Sequence, residues 1–142
     1  KLSIAVAESC TGGMLGKILT DCPGSSKVFL GGIIAYSDLI KENHLSISRK
    51  SIEQYGSVSY QVCEEMAFNV KKKFDSSIGI SCTGISGPGG ETEEKEIGLV
   101  YIGVAYKNKL ISKKFHFNFS RDMNRKFTCY TILNIIRKVI NE

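Results

Sequence analysis

Ser9 stands in Ala7-Glu8-Ser9-Cys10-Thr11-Gly12-Gly13, where the apolar run Ile4-Ala5-Val6-Ala7 stops and an amphipathic run from Met14-Leu15 to Ile18-Leu19 begins. A serine at such a strand-to-helix turn has its hydroxyl at the positive end of a helix. Backbone N–H groups without an intrahelical partner lie beside it and can hold a developing oxyanion. The same residues also fit a plainer role, in which Ser9 or Thr11 caps the helix and the glycines allow close packing. Cys10 is a second candidate nucleophile, since thiols are intrinsically the better ones. Neighbouring side chains leave a turn in different directions, so only one of Ser9 and Cys10 is expected to face a pocket.

A serine hydroxyl needs a base near neutral pH, and a lysine qualifies when desolvation or nearby positive groups depress its pKa. Tyr36-Ser37-Asp38-Leu39-Ile40-Lys41 follows a second apolar run, Val28 to Ala35, and offers Tyr36 and Lys41 for such a relay. If the two runs are adjacent parallel strands, their C-terminal ends share one sheet edge and bring Ser9 and Tyr36 together, with Lys41 a helical turn further on. Otherwise Tyr36 merely ends a strand and Lys41 is a solvated helix residue. His44 and His116 are the only imidazoles and neither lies beside a motif, so a serine–histidine–carboxylate triad has little support.

The elements that must position these residues read as α/β. A first strand (about 2–7) and helix (about 11–21) lead to the turn Cys22-Pro23-Gly24-Ser25-Ser26. The second strand precedes short helices near 38–43 and 49–55, the latter stopped by Gly56. A stronger helix follows, N-capped by Ser59, with Val62, Met66, Val70 and Phe74 as its core stripe. Residues 77–82 read as a buried central strand running into Thr83-Gly84-Ile85-Ser86-Gly87-Pro88-Gly89-Gly90. Glycine-rich loops at strand ends aim N–H groups at anions, although a flexible surface loop is an equal reading. The segment matches neither a Walker A loop nor a G-x-G-x-x-G fingerprint. A hairpin (99–106 and 110–117) and a final helix (121–140) complete the chain. Ile132, Leu133, Ile135, Ile136, Val139 and Ile140 supply that helix's buried side, and Arg121 and Arg125 near its start could meet a phosphate or carboxylate.

Composition bounds the possibilities. At 142 residues with 42% apolar and 23% charged residues, the chain suits one layered domain spanning 1–142. The expected fold is a three-layer α/β/α domain around a mixed, largely parallel sheet of about five strands. No run of apolar residues is long enough for a membrane span and the apolar start is too short for a signal peptide, so a cytoplasmic protein without a membrane partner is expected. Lys1 in place of an initiating methionine suggests a missing leading segment. Five scattered cysteines (Cys10, Cys22, Cys63, Cys82, Cys129) give neither a disulfide framework nor a zinc site. The net charge of +5 favours anionic partners but lacks the aromatic-interleaved basic stripe of a nucleic-acid binder. A homodimer is expected, because homo-oligomers are commonly two-fold.

Taken in order, Ala7 to Gly13, Pro23-Gly24-Ser25-Ser26, Tyr36-Ser37 with Lys41, Gly56-Ser57-Val58-Ser59, Thr83 to Gly90 and Glu94-Lys95 resemble the nicotinamide-nucleotide amidase family, the C-terminal domain of CinA. The resemblance covers nearly the whole chain. It implies deamidation of nicotinamide mononucleotide to nicotinate mononucleotide and ammonia, in pyridine-nucleotide salvage. Ser9 would attack the carboxamide, Lys41 would be the general base, and Tyr36 would position or relay the proton. Backbone N–H groups near Cys10, Thr11 and Gly12 would stabilise the oxyanion. The substrate phosphate and ribose would meet the Gly84 to Gly90 loop, with Thr83, Gly84 and Gly87 as its binding residues, Ser25-Ser26, and one or both of Arg121 and Arg125. No metal or organic cofactor is required by this chemistry. The sequence departs from the family at Glu96, where a proline is usual, and lacks the family's leading helix. A non-catalytic nucleotide-binding regulatory module linked to competence or DNA damage is the rival reading, and a serine amidase acting on another small amide is a further one.

Overall fold

Five strands form one mixed sheet in the order β2-β1-β3-β4-β5 in the computed structural model, which describes residues 1–142. They are β1 (Ile4–Glu8), β2 (Phe29–Ile34), β3 (Ile78–Gly84), β4 (Leu99–Tyr106) and β5 (Lys109–His116). The helices are α1 (Met14–Thr20), α2 (Asp38–Leu45), α3 (Arg49–Tyr55), α4 (Tyr60–Phe74) and α5 (Arg121–Asn141). β1 pairs in parallel with both β2 and β3, whereas β4 is antiparallel to β3 and to β5. Four strands therefore point one way and β4 alone is reversed. The three-layer α/β/α arrangement and the mixed sheet agree with the sequence reading.

Side-chain alternation along each strand builds two cores. Val6 of β1, Ile78, Ile80 and Cys82 of β3, and Val100, Ile102 and Val104 of β4 face Leu15 of α1 and Ile132, Ile135 and Ile136 of α5. Ala5 and Ala7 point the other way, into a cluster with Leu45, Val62, Met66 and Val70. The long helix α4 lies close enough to the sheet to need glycines beneath it. A Cβ on Gly79 would sit 2.1 Å from the Ala67 carbonyl oxygen, and one on Gly103 would sit 2.9 Å from that of Cys63.

Ser59 caps α4 as its sequence signal indicated, accepting from Val62 N–H at 3.3 Å. Other expectations are corrected. α1 begins at Met14 rather than Thr11, because residues 10–13 form a turn with Gly12 and Gly13 at positive φ. β1 begins at Ile4 rather than Leu2, and β3 continues to Gly84, two residues beyond the apolar run, through its pairing with β4. On α5, Ile140 is 40% exposed in the final turn and Leu133 is only half-buried.

Candidate active site

Parallel pairing of β1 with β2 and β3 puts Ser9, Tyr36 and the Thr83-Gly84 end of β3 on one edge of the sheet. Ser9 immediately follows β1 and its N–H donates to the Cys82 carbonyl at 3.1 Å. Ser37 caps α2 from the end of β2, accepting from Ile40 N–H at 3.3 Å, and this sets Lys41 on the first turn facing inward. Lys41 is 1% exposed, and its Nζ donates to Ser9 Oγ at 3.1 Å and to the Tyr36 carbonyl at 3.4 Å. Burial lowers the Lys41 pKa below its ordinary value, while Asp38, 3.8 Å from Nζ, draws it back up. A buried amine with a depressed pKa, in hydrogen-bond contact with a serine hydroxyl, is an arrangement that can remove the serine proton.

Ser9 opens onto a cavity of about 330 Å³. Cys10, Tyr36, Asp38 and Lys41 line one part of it, and Ser57, Val58, residues 83–86, Gly89, Gly90 and Arg121 line the rest. Ser9 and Cys10 both border the cavity, but the Cys10 thiol is packed in the core with Cys82 and Cys129. They differ in environment. A hydrogen bond with Cys82, together with burial, pushes the Cys10 thiol well above its ordinary value, and only Ser9 contacts Lys41. Tyr36 is 61% exposed, and its hydroxyl accepts from Arg121 Nη2 at 3.3 Å rather than bonding to Ser9 or Lys41. Its side chain therefore closes the outer wall, and only its carbonyl touches Lys41.

The family model for the CinA C-terminal domain matches residues 1–140. The chain belongs to the CinA C-terminal domain family. Among its relatives, a CinA-like protein of Thermosynechococcus vestitus is 47% identical over 139 residues, 96% of this chain and 33% of that protein. The chain thus spans about a third of the length of the curated relatives it matches. In three dimensions it superposes on the competence/damage inducible protein CihA of Agrobacterium tumefaciens with a TM-score of 0.95 at 30% identity, covering 99% of this chain and 86% of that one. A CinA superfamily protein of Escherichia coli gives 0.94 at 28% identity, covering 97% and 80%.

Within this CinA C-terminal domain, the remaining residues singled out from sequence divide clearly. Thr83 and Gly84 border the cavity, with Thr83 Oγ1 donating to the Ser57 carbonyl at 2.8 Å. Gly87 lies just outside the lining, and its carbonyl accepts from Arg121 Nη1 at 2.7 Å. Ser25 and Ser26 are not at the site. They occupy a single helical turn before β2, at the opposite end of the parallel strands, where Ser25 borders a separate depression with Leu19 and Pro23. Thr11 is fully buried and its hydroxyl donates to Glu8 Oε2 at 2.6 Å. Arg125 reaches neither the cavity nor its mouth. Its Nε donates to the Cys10 carbonyl at 3.1 Å and its Nη2 to the Thr11 carbonyl at 2.8 Å. The Cβ that Gly12 lacks would stand 3.4 Å from Arg125 Nη2.

The idea that the α1 N-terminus supplies the oxyanion donors is also corrected. The Glu8 carboxylate, 2% exposed, accepts from the N–H groups of Gly13 (3.1 Å), Leu15 (3.0 Å) and Gly16 (2.8 Å). It occupies the helix end from within. Gly12 N–H donates to the Ser9 carbonyl at 3.0 Å, which leaves Cys10 N–H as an unpartnered donor on a cavity-lining residue. Asp38 and Ser57 were not anticipated, whereas Ser86, Gly89 and Gly90 belong to the glycine-rich loop expected there. Asp38 lay inside the quoted motif between Tyr36 and Lys41, where i,i+3 spacing on a helix was the available signal. The loop carrying Glu94-Lys95 is tied back by Lys95 Nζ donating to the Tyr55 carbonyl at 2.8 Å, and Glu96 lies 3.6 Å from His116 Nε2.

Proposed function

We propose that this domain is an amidohydrolase that deamidates nicotinamide mononucleotide to nicotinate mononucleotide and ammonia, in pyridine-nucleotide salvage. The observation that carries the reading is the buried Lys41 amine 3.1 Å from Ser9 Oγ at the floor of an open cavity. The nucleotide itself comes from the family resemblance. Neutral Lys41 takes the Ser9 proton as Oγ adds to the carboxamide carbon, and the N–H of Cys10 faces the oxyanion. The ammonium of Lys41 returns the proton to the departing nitrogen, releasing ammonia and leaving a Ser9 ester. Lys41 then deprotonates water, which attacks the ester, and as the acyl–Oγ bond breaks the Lys41 ammonium returns that proton to Ser9 Oγ and frees the product acid, which ionises to the carboxylate. Arg121, exposed at the mouth, is the guanidinium placed to meet the phosphate. A cavity of this size lies at the lower end of the range that holds small ligands, roughly 300–1,000 Å³.

Ammonia release from nicotinamide mononucleotide, compared among the native protein, Ser9→Ala and Lys41→Met, tests the proposal. Turnover should fall by at least about a thousandfold in each variant, as for loss of a nucleophile or its base. Tight nucleotide binding without turnover in the native protein would instead favour the regulatory-module reading. A cytoplasmic site of action and a homodimer belong to the same proposal. β2 is an outer strand without a charged residue, with Leu30 50% and Ile34 55% exposed, whereas the opposite edge strand β5 carries Lys109, Lys113 and Lys114. Uncharged, apolar edges invite pairing and lysines discourage it. Sedimentation velocity should give twice the 15.6 kDa chain mass, reverting to the single-chain mass in Ile34→Lys. A native protein that sediments only as a monomer would remove the dimer.

A further inference from the structure

Arg125 has a guanidinium with no carboxylate in ion-pair range, spent on two backbone carbonyls of the turn that carries Ser9. A peptide unit points its carbonyl and the following N–H in opposite directions, so holding one end aims the other. The Ser9–Cys10 peptide is held through its carbonyl by Gly12 N–H, and this aims Cys10 N–H away from that bond. The next two peptides are held through their carbonyls, that of Cys10 by Arg125 and that of Thr11 by Arg125 together with Met14 N–H at 3.0 Å. Without Arg125 the Cys10–Thr11 unit keeps no backbone hydrogen bond, because Thr11 N–H has no partner, and the turn is held there only by the Thr11 hydroxyl on Glu8 and by Met14 N–H on the Thr11 carbonyl. The Cys10–Thr11 unit would then tilt, carrying Cys10 N–H and Gly12 N–H out of position.

We infer that Arg125 is a positioning residue for the oxyanion donor of Cys10, and not a ligand of the substrate phosphate. It locks the turn from beneath and places a full positive charge behind the N–H that meets the oxyanion. Half-buried behind the turn, such a charge acts on the charge that develops in the transition state more than on the neutral amide. Arg121 by contrast borders the cavity and is the residue free to exchange its contacts with Gly87 and Tyr36 for a substrate anion.

This inference rests on the amidase reading, and its test separates the two. Arg125→Met and Arg121→Met are compared with the native protein in kcat and KM for nicotinamide mononucleotide, and in the rate of p-nitrophenolate release from p-nitrophenyl acetate. The ester acylates Ser9 without presenting a phosphate. Arg125→Met should lower kcat and the ester rate by about 10–100-fold, in line with the effect of a misplaced reacting group, with KM little changed. Arg121→Met should raise KM and leave the ester rate intact. Added guanidinium ion should restore part of the kcat of Arg125→Ala. If Arg125→Met does not fold, Arg125→Lys takes its place, since it keeps the charge but loses the fork and should show the same kcat defect in smaller measure. Should the native protein react with the ester but not the nucleotide, the substrate assignment fails and the ester rates alone decide this inference. A raised KM at unchanged kcat, or unchanged ester rates in a folded Arg125 variant, would overturn it, as would absence of any Ser9 acylation by the native protein.

Discussion

An amine that is 1% exposed has lost nearly all its hydration, and at Lys41 the sole carboxylate in ion-pair range is Asp38 at 3.8 Å, itself about half-exposed. Burial therefore outweighs attraction, and the lysine titrates below its ordinary range. If Lys41 is the base, activity requires its unprotonated form and the acid limb of the kcat/KM profile follows its titration. Replacing Asp38 by Asn removes a charge that favours the ammonium, so the limb should move to lower pH. A pH-rate series on Asp38→Asn checks this, and a limb that stays fixed or moves up would show that Asp38 does not tune the base. The pair Ser9 and Lys41 was legible in the sequence through strand-end motifs. The different placement of Arg121 and Arg125 was not, since four residues apart on one helix they share a face and only the packing decides which of them meets the cavity and which meets the turn.

At the level of elements, α1 depends on a carboxylate that precedes it. Glu8 gathers three N–H groups of the helix start and the Thr11 hydroxyl, and thereby fixes the same turn that Arg125 holds from the other side. Glu8→Gln replaces a charge-assisted acceptor by a neutral amide with one acceptor oxygen, leaving a buried donor unmatched. The loss should be about 1–3 kcal/mol. Urea unfolding should show a lower midpoint at unchanged slope, and an unchanged midpoint would mean that the helix start is satisfied in another way. The positions of strands and helices were readable because their apolar periods are strong. The α1 boundary was not, because Ser9 and Thr11 have the residue types of a cap while the actual capping group comes from a glutamate before the turn, outside the usual N-cap pattern.

For the whole molecule, the buried Lys41 amine is a standing cost to folding. The unfolded chain holds the Lys41 proton with the ordinary value of 10.5, and the folded protein holds it more weakly. Unfolding thus takes up a proton between the folded and unfolded values, and stability contributed by this site rises with pH through that window. Below the window the penalty is present in full, and above 10.5 it is gone. Lys41→Met fills the same space with an uncharged chain, so near neutral pH it should be more stable than the native protein by about 1 kcal/mol or more, a rise of roughly 2–4 °C in Tm. The advantage should shrink as pH is raised through the window, because the native lysine is then buried neutral. Thermal melts of the two proteins across pH provide the comparison. A variant that melts below the native protein near neutrality would mean that the contacts of Nζ with Ser9 and the Tyr36 carbonyl stabilise the fold by more than desolvation costs it, and the case for a neutral, basic Lys41 would fall with that result.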